Sequence, residues 1–413
     1  MMSYTKNIYK KINNCRISDD KNLISVAKFP SMGLTGTFPK SRNEKILRTP
    51  FEVMFSKKSK LLQLKHNYNP NILYGKNYGY RSGLNPTMIK HLKLKQNFLT
   101  KKFNISSSDL ILDIGSNDGT FLNFFKNSQR CYGIDPSIIK LNKFYKKKSN
   151  LISSTFEKGF KKISKKKFKL ISAIAMFYDL EEPITFIKNV KSILKHDGIF
   201  HIEVAYLPEI IKTFSYDTFC QEHYEYYSLI SLSYMFDQTD MKIIDFGMNS
   251  INGGSIWINV THKETKFKPV NSKISRQLKY EYRNNIHKID TYKNFFKNVF
   301  KHAKKINSII VDLKNKNLKI SGLGASTKGN VLLQLANIDS LKLDRIYDVN
   351  KEKFGKFTPI SKIIIEDESK IKTFKQDYIL ILIWHFKEFI TDKLLKQNKK
   401  IKLIIPFPKI KII

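Results

Sequence analysis

Leu110-Ile-Leu-Asp-Ile-Gly-Ser-Asn-Asp-Gly-Thr120, followed by Tyr132-Gly-Ile-Asp-Pro136, is the stretch that decides the fold. A short apolar run enters a turn of glycine and small polar residues. A helix-like segment, Phe121 to Lys126, comes next, and a second apolar run ends on Asp135. An open α/β sheet builds an adenosine site in this way. The turn after the first strand lets a ligand approach the backbone, and the acid after the second strand accepts ribose hydroxyls. The turn lacks the G-x-G-x-x-G spacing of a dinucleotide site, and Asp113 and Asp118 make it acidic. That chemistry disfavours a phosphate and suits a cationic ligand, such as the amino and sulfonium groups of S-adenosylmethionine. We therefore expect Asp113, Gly115 and Asn117 at the cofactor turn and Asp135 at the ribose. Met176 or Phe177 would flank the adenine or the methionine part.

Working outward, strands are expected at 110–114, 131–135, 169–176 and 199–205. A helix over 183–195 should end at the turn His196-Asp-Gly198. A helix follows Tyr80, another covers 229–239, and a hairpin, Lys242–Gly247 and Ser255–His262, turns at Asn252-Gly-Gly254. Residues 272–315 read as one or two long charged helices. A second α/β unit starts at Leu318-Lys-Ile-Ser-Gly322-Leu-Gly324-Ala-Ser-Thr-Lys328-Gly-Asn330, with strands at 343–349 and 378–384. Its turn holds no acid and suits a phosphate. The expected class is α/β throughout: a small N-terminal unit at 1–75, a central Rossmann-like unit at 76–265, a helical connector at 266–315 and a C-terminal Rossmann-like unit at 316–413.

The formal charge is +39, from 74 Lys+Arg against 35 Asp+Glu. Charge alone would admit a nucleic-acid binder, but the excess is lysine spread along the chain, without an interleaved aromatic motif. No nucleic acid is expected as a partner, although a basic surface favours an anionic substrate. The three cysteines, Cys15, Cys131 and Cys220, are far apart and frame no disulfide network. No stretch is apolar enough to span a membrane and the N-terminus lacks a signal-peptide core, so a cytoplasmic protein is expected.

In order, Thr35-Gly-Thr-Phe-Pro-Lys40, Tyr78-Gly-Tyr-Arg-Ser-Gly83, Asp113–Gly119, Met176-Phe-Tyr-Asp-Leu180, Glu222-His223, Asn252-Gly-Gly-Ser255, Gly322–Asn330 and Trp384-His-Phe-Lys387 make the chain resemble one family over nearly its whole length. It resembles the S-adenosylmethionine-dependent C-methyltransferases of nucleotide-linked 4-keto-deoxy sugars. The resemblance implies an N-terminal zinc-ribbon-like domain, a central class I methyltransferase domain and a C-terminal Rossmann-like domain. It implies a nucleotide-diphosphate sugar as substrate, methylated beside its C4 ketone, usually at C3. In this family zinc is held by two Cys-x-x-Cys pairs. Here those positions are Cys15, Ser18, Ser56 and Ser59, so the metal is expected to be lost: a neutral hydroxyl is a poor ligand where thiolate binds zinc. His66 alone cannot rebuild the site, and a domain deprived of zinc must lean on its neighbours.

The resemblance makes His223 the base that removes the α-proton, with Glu222 as a second acid/base or an orienter of a sugar hydroxyl. Adjacent strand residues face opposite ways, so both can enter one site only from a turn. Tyr78 or Tyr80 would donate to the enolate or sugar, and Tyr178 stands where some relatives have histidine. Tyr224 is a candidate for the sugar pocket or for core, and Ser326, Lys328 and Asn330 for the diphosphate. Rival readings are O- or N-methylation, which would need no α-proton base, and a noncatalytic nucleotide-sugar-binding protein.

Overall fold

The computed structural model describes residues 8–74, 80–126, 130–146, 150–397 and 401–413. The N-terminal part is a small antiparallel sheet of β1 (Leu23–Lys28), β2 (Glu52–Ser56) and β3 (Leu62–Leu64). Helix α1 (Pro86–Lys102) begins with Asn85 as its cap, whose side chain accepts from the Thr87 and Met88 amides. That contact satisfies amides that have no partner inside a helix. α1 buries Met88, Leu92 and Leu99, while Leu94 faces out.

The central unit then alternates strand and helix. Its strands are β4 (Ile111–Ile114), β5 (Cys131–Ile134), β6 (Leu151–Ile152) and β7 (Phe168–Ile174), followed by α2 (Pro183–Ile193) and β8 (Leu194–Ala205). After these come β9 (Glu225–Tyr226), α3 (Leu229–Asp237), β10 (Met241–Asn249) and β11 (Ser255–His262). The sheet order is β6-β5-β4-β7-β8-β11-β10. β4 to β8 pair in parallel, and β11 is antiparallel to both β8 and β10. The order reverses beside β4, and in such sheets the crevice at the strands' carboxyl ends there binds ligands.

Helices α4 (Asn271–Arg283) and α5 (Ile289–Asn315) lead to a second sheet. It contains β12 (Ile320–Leu323), α6 (Thr327–Leu335), β13 (Ile346–Asp348), β14 (Ile365–Asp367), β15 (Tyr378–Ile381), α7 (Lys387–Gln397), β16 (Lys402–Ile405) and β17 (Lys411–Ile412). Its order is β14-β13-β12-β15-β16-β17, parallel except for the last pair.

Two local expectations are corrected, and one pairing is new. The segment Phe121 to Lys126 forms only a single 3-10 turn at Leu122–Phe124, because Phe121 and Leu122 turn into the core beneath the glycine turn. His196-Asp-Gly198 does not end an element. β8 already starts at Leu194, and these residues form an irregularity between the Phe168–Leu194 and Leu170–Ile199 pairs, where Lys169 binds Asp197. β9 leaves the central unit to pair with β3 and completes the N-terminal sheet.

The N-terminal unit does lean on both neighbours. Cys15, Ile17 and Leu61 share a core with the central sheet, and Phe29, Phe51 and Phe55 share one with α5 and the C-terminal unit. At the implied zinc positions the Cys15 thiol lies 3.2 Å from the Ser59 hydroxyl, and the Ser56 hydroxyl accepts from the Ser59 amide. A single thiol hydrogen-bonded to a hydroxyl does not fit zinc. Among the described residues no group of three His, Cys, Asp or Glu could hold a metal ion, and no helix is long and apolar enough to cross a membrane.

Candidate active site

The glycine turn is tightly cross-linked. Gly115 and Gly119 both have φ +75°, and Asn117 has φ +49°. A Cβ on Gly115 would lie 2.6 Å from the Met176 Cγ, so only glycine admits Met176 onto the turn. The Asn117 amide donates to Asp135 Oδ2 at 3.0 Å, and the Ser137 amide donates to Asp135 Oδ1 at 2.6 Å. Each carboxylate oxygen therefore keeps a lone pair, and Asp135 is only half-buried. That donor–acceptor balance fits a ribose diol.

The acidity expected to face a cationic ligand is largely spent inside the protein. Asp113 is buried at the end of β4 and accepts from the Ser172 hydroxyl at 2.6 Å. Burial, opposed by that bond, pushes its pKa up to about 7. Asp118 accepts from Arg81 Nε at 3.1 Å and from the Gly83 amide at 2.9 Å. The Ser82 amide donates to Asn117 Oδ1, and the Arg81 guanidinium lies 3.7 Å from the Phe144 ring centroid. Residues 80–83 thus form a strap on the turn, which the tyrosine-centred sequence reading missed. The arginine and glycine of Tyr78–Gly83 were the available signal. Tyr80 is 47% exposed and its carbonyl accepts from Asn117 Nδ2. Tyr78 lies outside the described residues.

Beyond β7 the chain runs from the cofactor turn to the Glu-His pair. Met176 packs on Gly115, and the Tyr178 ring lies 4.3 Å from that of His223. Phe177, between them, turns into the core against Phe186 and Phe200 and is no cofactor contact. Residues Phe177–Asp179 form a 3-10 turn, in which successive side chains point about a third of a turn apart, and this accounts for that split. Glu222 and His223 do lie in a turn outside regular structure. His223 Nδ1 is 2.8 Å from the Thr218 carbonyl. A carbonyl only accepts, so Nδ1 carries the proton and Nε2 keeps its lone pair. Burial, with the Lys328 charge adding to it, lowers the imidazole pKa to about 4, so the ring is neutral at pH 7.

Glu222 is buried and accepts from the Thr35 hydroxyl at 3.1 Å, and burial raises its pKa. Gly36 passes so close that a Cβ there would sit 2.5 Å from Glu222 Oε1. This explains Thr35-Gly36, to which the sequence reading gave no role.

The C-terminal unit supplies the opposite wall. Lys328 Nζ donates to the Asn252 carbonyl at 2.5 Å, and Asn252 and Tyr178 line one small cavity together with Glu203 and Ser255. Ser326 caps α6 through the Gly329 amide. Two expected substrate residues are corrected. Asn330 is 1% exposed and its amide is spent on the Thr35 carbonyl, so it holds the Glu222 loop and not a diphosphate. Tyr224 is core: its hydroxyl donates to the Tyr68 carbonyl and accepts from the Tyr68 amide.

The methyltransferase-domain family model matches residues 89–245, and the model of the C-methyltransferase C-terminal domain matches 250–408. The C-methyltransferase NovU of Streptomyces niveus is 25% identical over 414 aligned positions, covering 98% of each chain. An S-adenosylmethionine-dependent methyltransferase from Clostridium acetobutylicum is 16% identical, over 42% of this chain and 92% of its own, with a TM-score of 0.32. A complex of a Haloferax volcanii methyltransferase with its Trm112 activator gives 13% identity, 43% and 95% coverage and a TM-score of 0.34. With a class I Rossmann-like domain continued directly by a C-methyltransferase C-terminal domain, the chain belongs to the S-adenosylmethionine-dependent C-methyltransferases.

Proposed function

We propose that the protein methylates the carbon beside the C4 ketone, C3, of a nucleotide-linked 4-keto-deoxy sugar, with His223 removing the α-proton. The observation that carries this reading is the His223 ring. With Nδ1–H held by Thr218, it offers one unprotonated nitrogen beside Tyr178, between the cofactor turn and the wall formed by the C-terminal unit.

S-adenosylmethionine, when bound, supplies an electrophilic methyl on a sulfonium. Asp135 holds its ribose, and Gly115 and Asn117 shape the turn against it. Asp113 acts one step removed, through its bond to Ser172. A base with a pKa of about 4 is weak for this work, since the favourable value lies near the working pH. Lys328 helps to depress it, and an anionic diphosphate or a forming enolate beside Lys328 neutralises that charge. Substrate binding therefore moves the imidazole upward, toward its working range. Tyr178 and Tyr80 are donors for the sugar, and Glu222 keeps the Glu-His turn in register through Thr35.

The test separates proton removal from methyl transfer. A thymidine-diphosphate-linked 4-keto-6-deoxyhexose is incubated in deuterated water with the protein and without cofactor. Exchange of the α-proton is expected, and adding S-adenosylmethionine should convert exchange into transfer of one methyl. His223→Ala should lower the exchange rate by about 100-fold. Exchange that persists in this variant would remove His223 from the role of base. In the wild type, the acid limb of kcat/KM for exchange, which reports the substrate-free enzyme, should lie nearer pH 4 than the 6.5 of an ordinary histidine, because the folded ring resists protonation until that pH. An acid limb at 6.5 would mean that the ring is solvated in solution.

A further inference from the structure

Trp384, just beyond β15, lies far from His223 in sequence, yet their hydrogen-bonded partners are adjacent residues. Its indole Nε1–H donates to Asp217 Oδ2 at 2.8 Å, and Trp384 and Asp217 are both buried. Asp217 is the middle of a 3-10 turn, Tyr216–Thr218. The Thr218 carbonyl, the next residue along, accepts the His223 Nδ1–H. Tyr216, on the other side, is gripped as well: its hydroxyl is 3.1 Å from His302 Nδ1 on α5, and its ring lies 4.9 Å from that of Phe407. Trp384 also packs on Phe407, with ring centroids 5.4 Å apart.

Three consecutive residues therefore each have one task. Tyr216 and Asp217 are fixed by the connector and the C-terminal sheet, and Thr218 presents the carbonyl that fixes the imidazole. An indole N–H only donates, and a buried carboxylate must find donors, so this bond has a defined sense and is costly to leave unmade.

We propose that Trp384 is a positioning residue for His223: through Asp217 it sets the Thr218 carbonyl, and so the tautomer and direction of the imidazole. Its consequence for catalysis rests on the reading of His223 as the base. The C-terminal unit is then part of the base's scaffold as well as a wall of the cleft. A histidine that loses its carbonyl partner samples both tautomers and other ring orientations, and small misplacements of a reacting group are expensive in rate.

The experiment uses the full chain with isotope-labelled histidine, His223→Gln serving to assign the ring signals by NMR. The wild type should show the Nδ1–H tautomer with Nε2 unprotonated. Trp384→Phe keeps an aromatic ring against Phe407 and deletes the donor. It is expected to give a mixed tautomer and a shifted His223 titration. Affinity for S-adenosylmethionine by calorimetry should stay within about twofold, and α-proton exchange should fall about 10- to 100-fold. Asp217→Ala should reproduce this effect from the acceptor side. Asp217→Asn, which keeps an acceptor oxygen, should retain the wild-type tautomer. If Trp384→Phe and Asp217→Ala bind the cofactor normally and leave the His223 signals unchanged, the positioning role is overturned. If both fail to fold while Asp217→Asn is sound, the bond serves stability alone and the proposal falls. A changed tautomer with unchanged exchange would instead overturn His223 as the base and leave the positioning role standing.

Discussion

The chain contains the same Rossmann-like device twice, and the two copies have different fates. In the first, β4 leads through Gly115 to a turn and β5 ends before Asp135. In the second, β12 leads through Gly324 to α6 and β13 ends on Asp348. Both glycines have positive φ, +75° and +94°, and both are roofed by a side chain: Met176 over the first and Ile383 over the second, 2.5 Å or slightly more from a would-be Cβ. The acids differ. Asp135 is half-buried and, among the described residues, bound by backbone amides alone. Asp348 is buried and lies 3.6 Å from Lys353, whose ammonium also donates to the Ala325 carbonyl in the turn, at 2.7 Å, and sits over the Phe38 ring. A lysine of the protein spans the interval between turn and acid that a ribose and its neighbours would fill. The backbone pattern creates a ligand-sized crevice, and side chains decide whether a ligand or the protein itself fills it.

The comparison breaks most visibly at the acids. Asp135→Ala should weaken S-adenosylmethionine binding by about 100-fold, since two charge-assisted hydrogen bonds to a ribose are lost. Asp348→Ala should leave that affinity within about twofold. Calorimetry on the two variants decides, and equal losses would mean that the two units share one ligand. Next come the glycines. Gly115→Ala forces an L-residue into φ +75° and into Met176, and should cost about tenfold in cofactor affinity along with a lower Tm. Gly324→Ala should lower stability comparably, by about 1–3 kcal/mol, with no change in cofactor affinity. A cofactor effect from Gly324→Ala would show that the C-terminal turn couples to the first site.

Lys353→Met should cost about 1–3 kcal/mol in denaturant unfolding, because Asp348 and the Ala325 carbonyl lose a partner. An unchanged midpoint would mean that the lysine is a loose plug.

The smallest effect concerns Asp113, which has no counterpart in the second unit, where Gly322 stands two residues before Gly324. Its folded pKa, about 7, lies above the usual 3.8, so the folded state binds the extra proton between those values. Its contribution to stability is therefore lost as pH rises through 7. Ser172 Oγ–H supports the ionised form, so Ser172→Ala should destabilise by about 1 kcal/mol more at pH 8 than at pH 5. Equal losses at both pH values would place the ionised Asp113 elsewhere than against Ser172.

Much of the first copy was legible because its signals are local. Apolar runs gave the strands, helical spacing gave the helix near 183–195, and Asp135 followed the second strand at the expected distance. The turn at Glu222 and His223 agrees with the condition that two adjacent residues enter one site only from a turn. The turn signal His196-Asp-Gly198 was misplaced because pairing between β7 and β8 absorbs it as an irregularity, which no single segment reveals.

Sequence by itself determined the backbone plan: two units in which a strand enters a glycine turn and a further strand follows, and an N-terminal part whose only cysteine is Cys15. Only the tertiary structure decided which side chains face a ligand. Asp118 is quenched by Arg81, Phe177 and Tyr224 turn into the core, Asn330 is spent on Thr35, and Trp384 reaches Asp217. Backbone preference is set by neighbours a few residues apart. A hydrogen-bond partner is set by whatever the folded chain brings within about 3 Å, here from as far as 301 positions away.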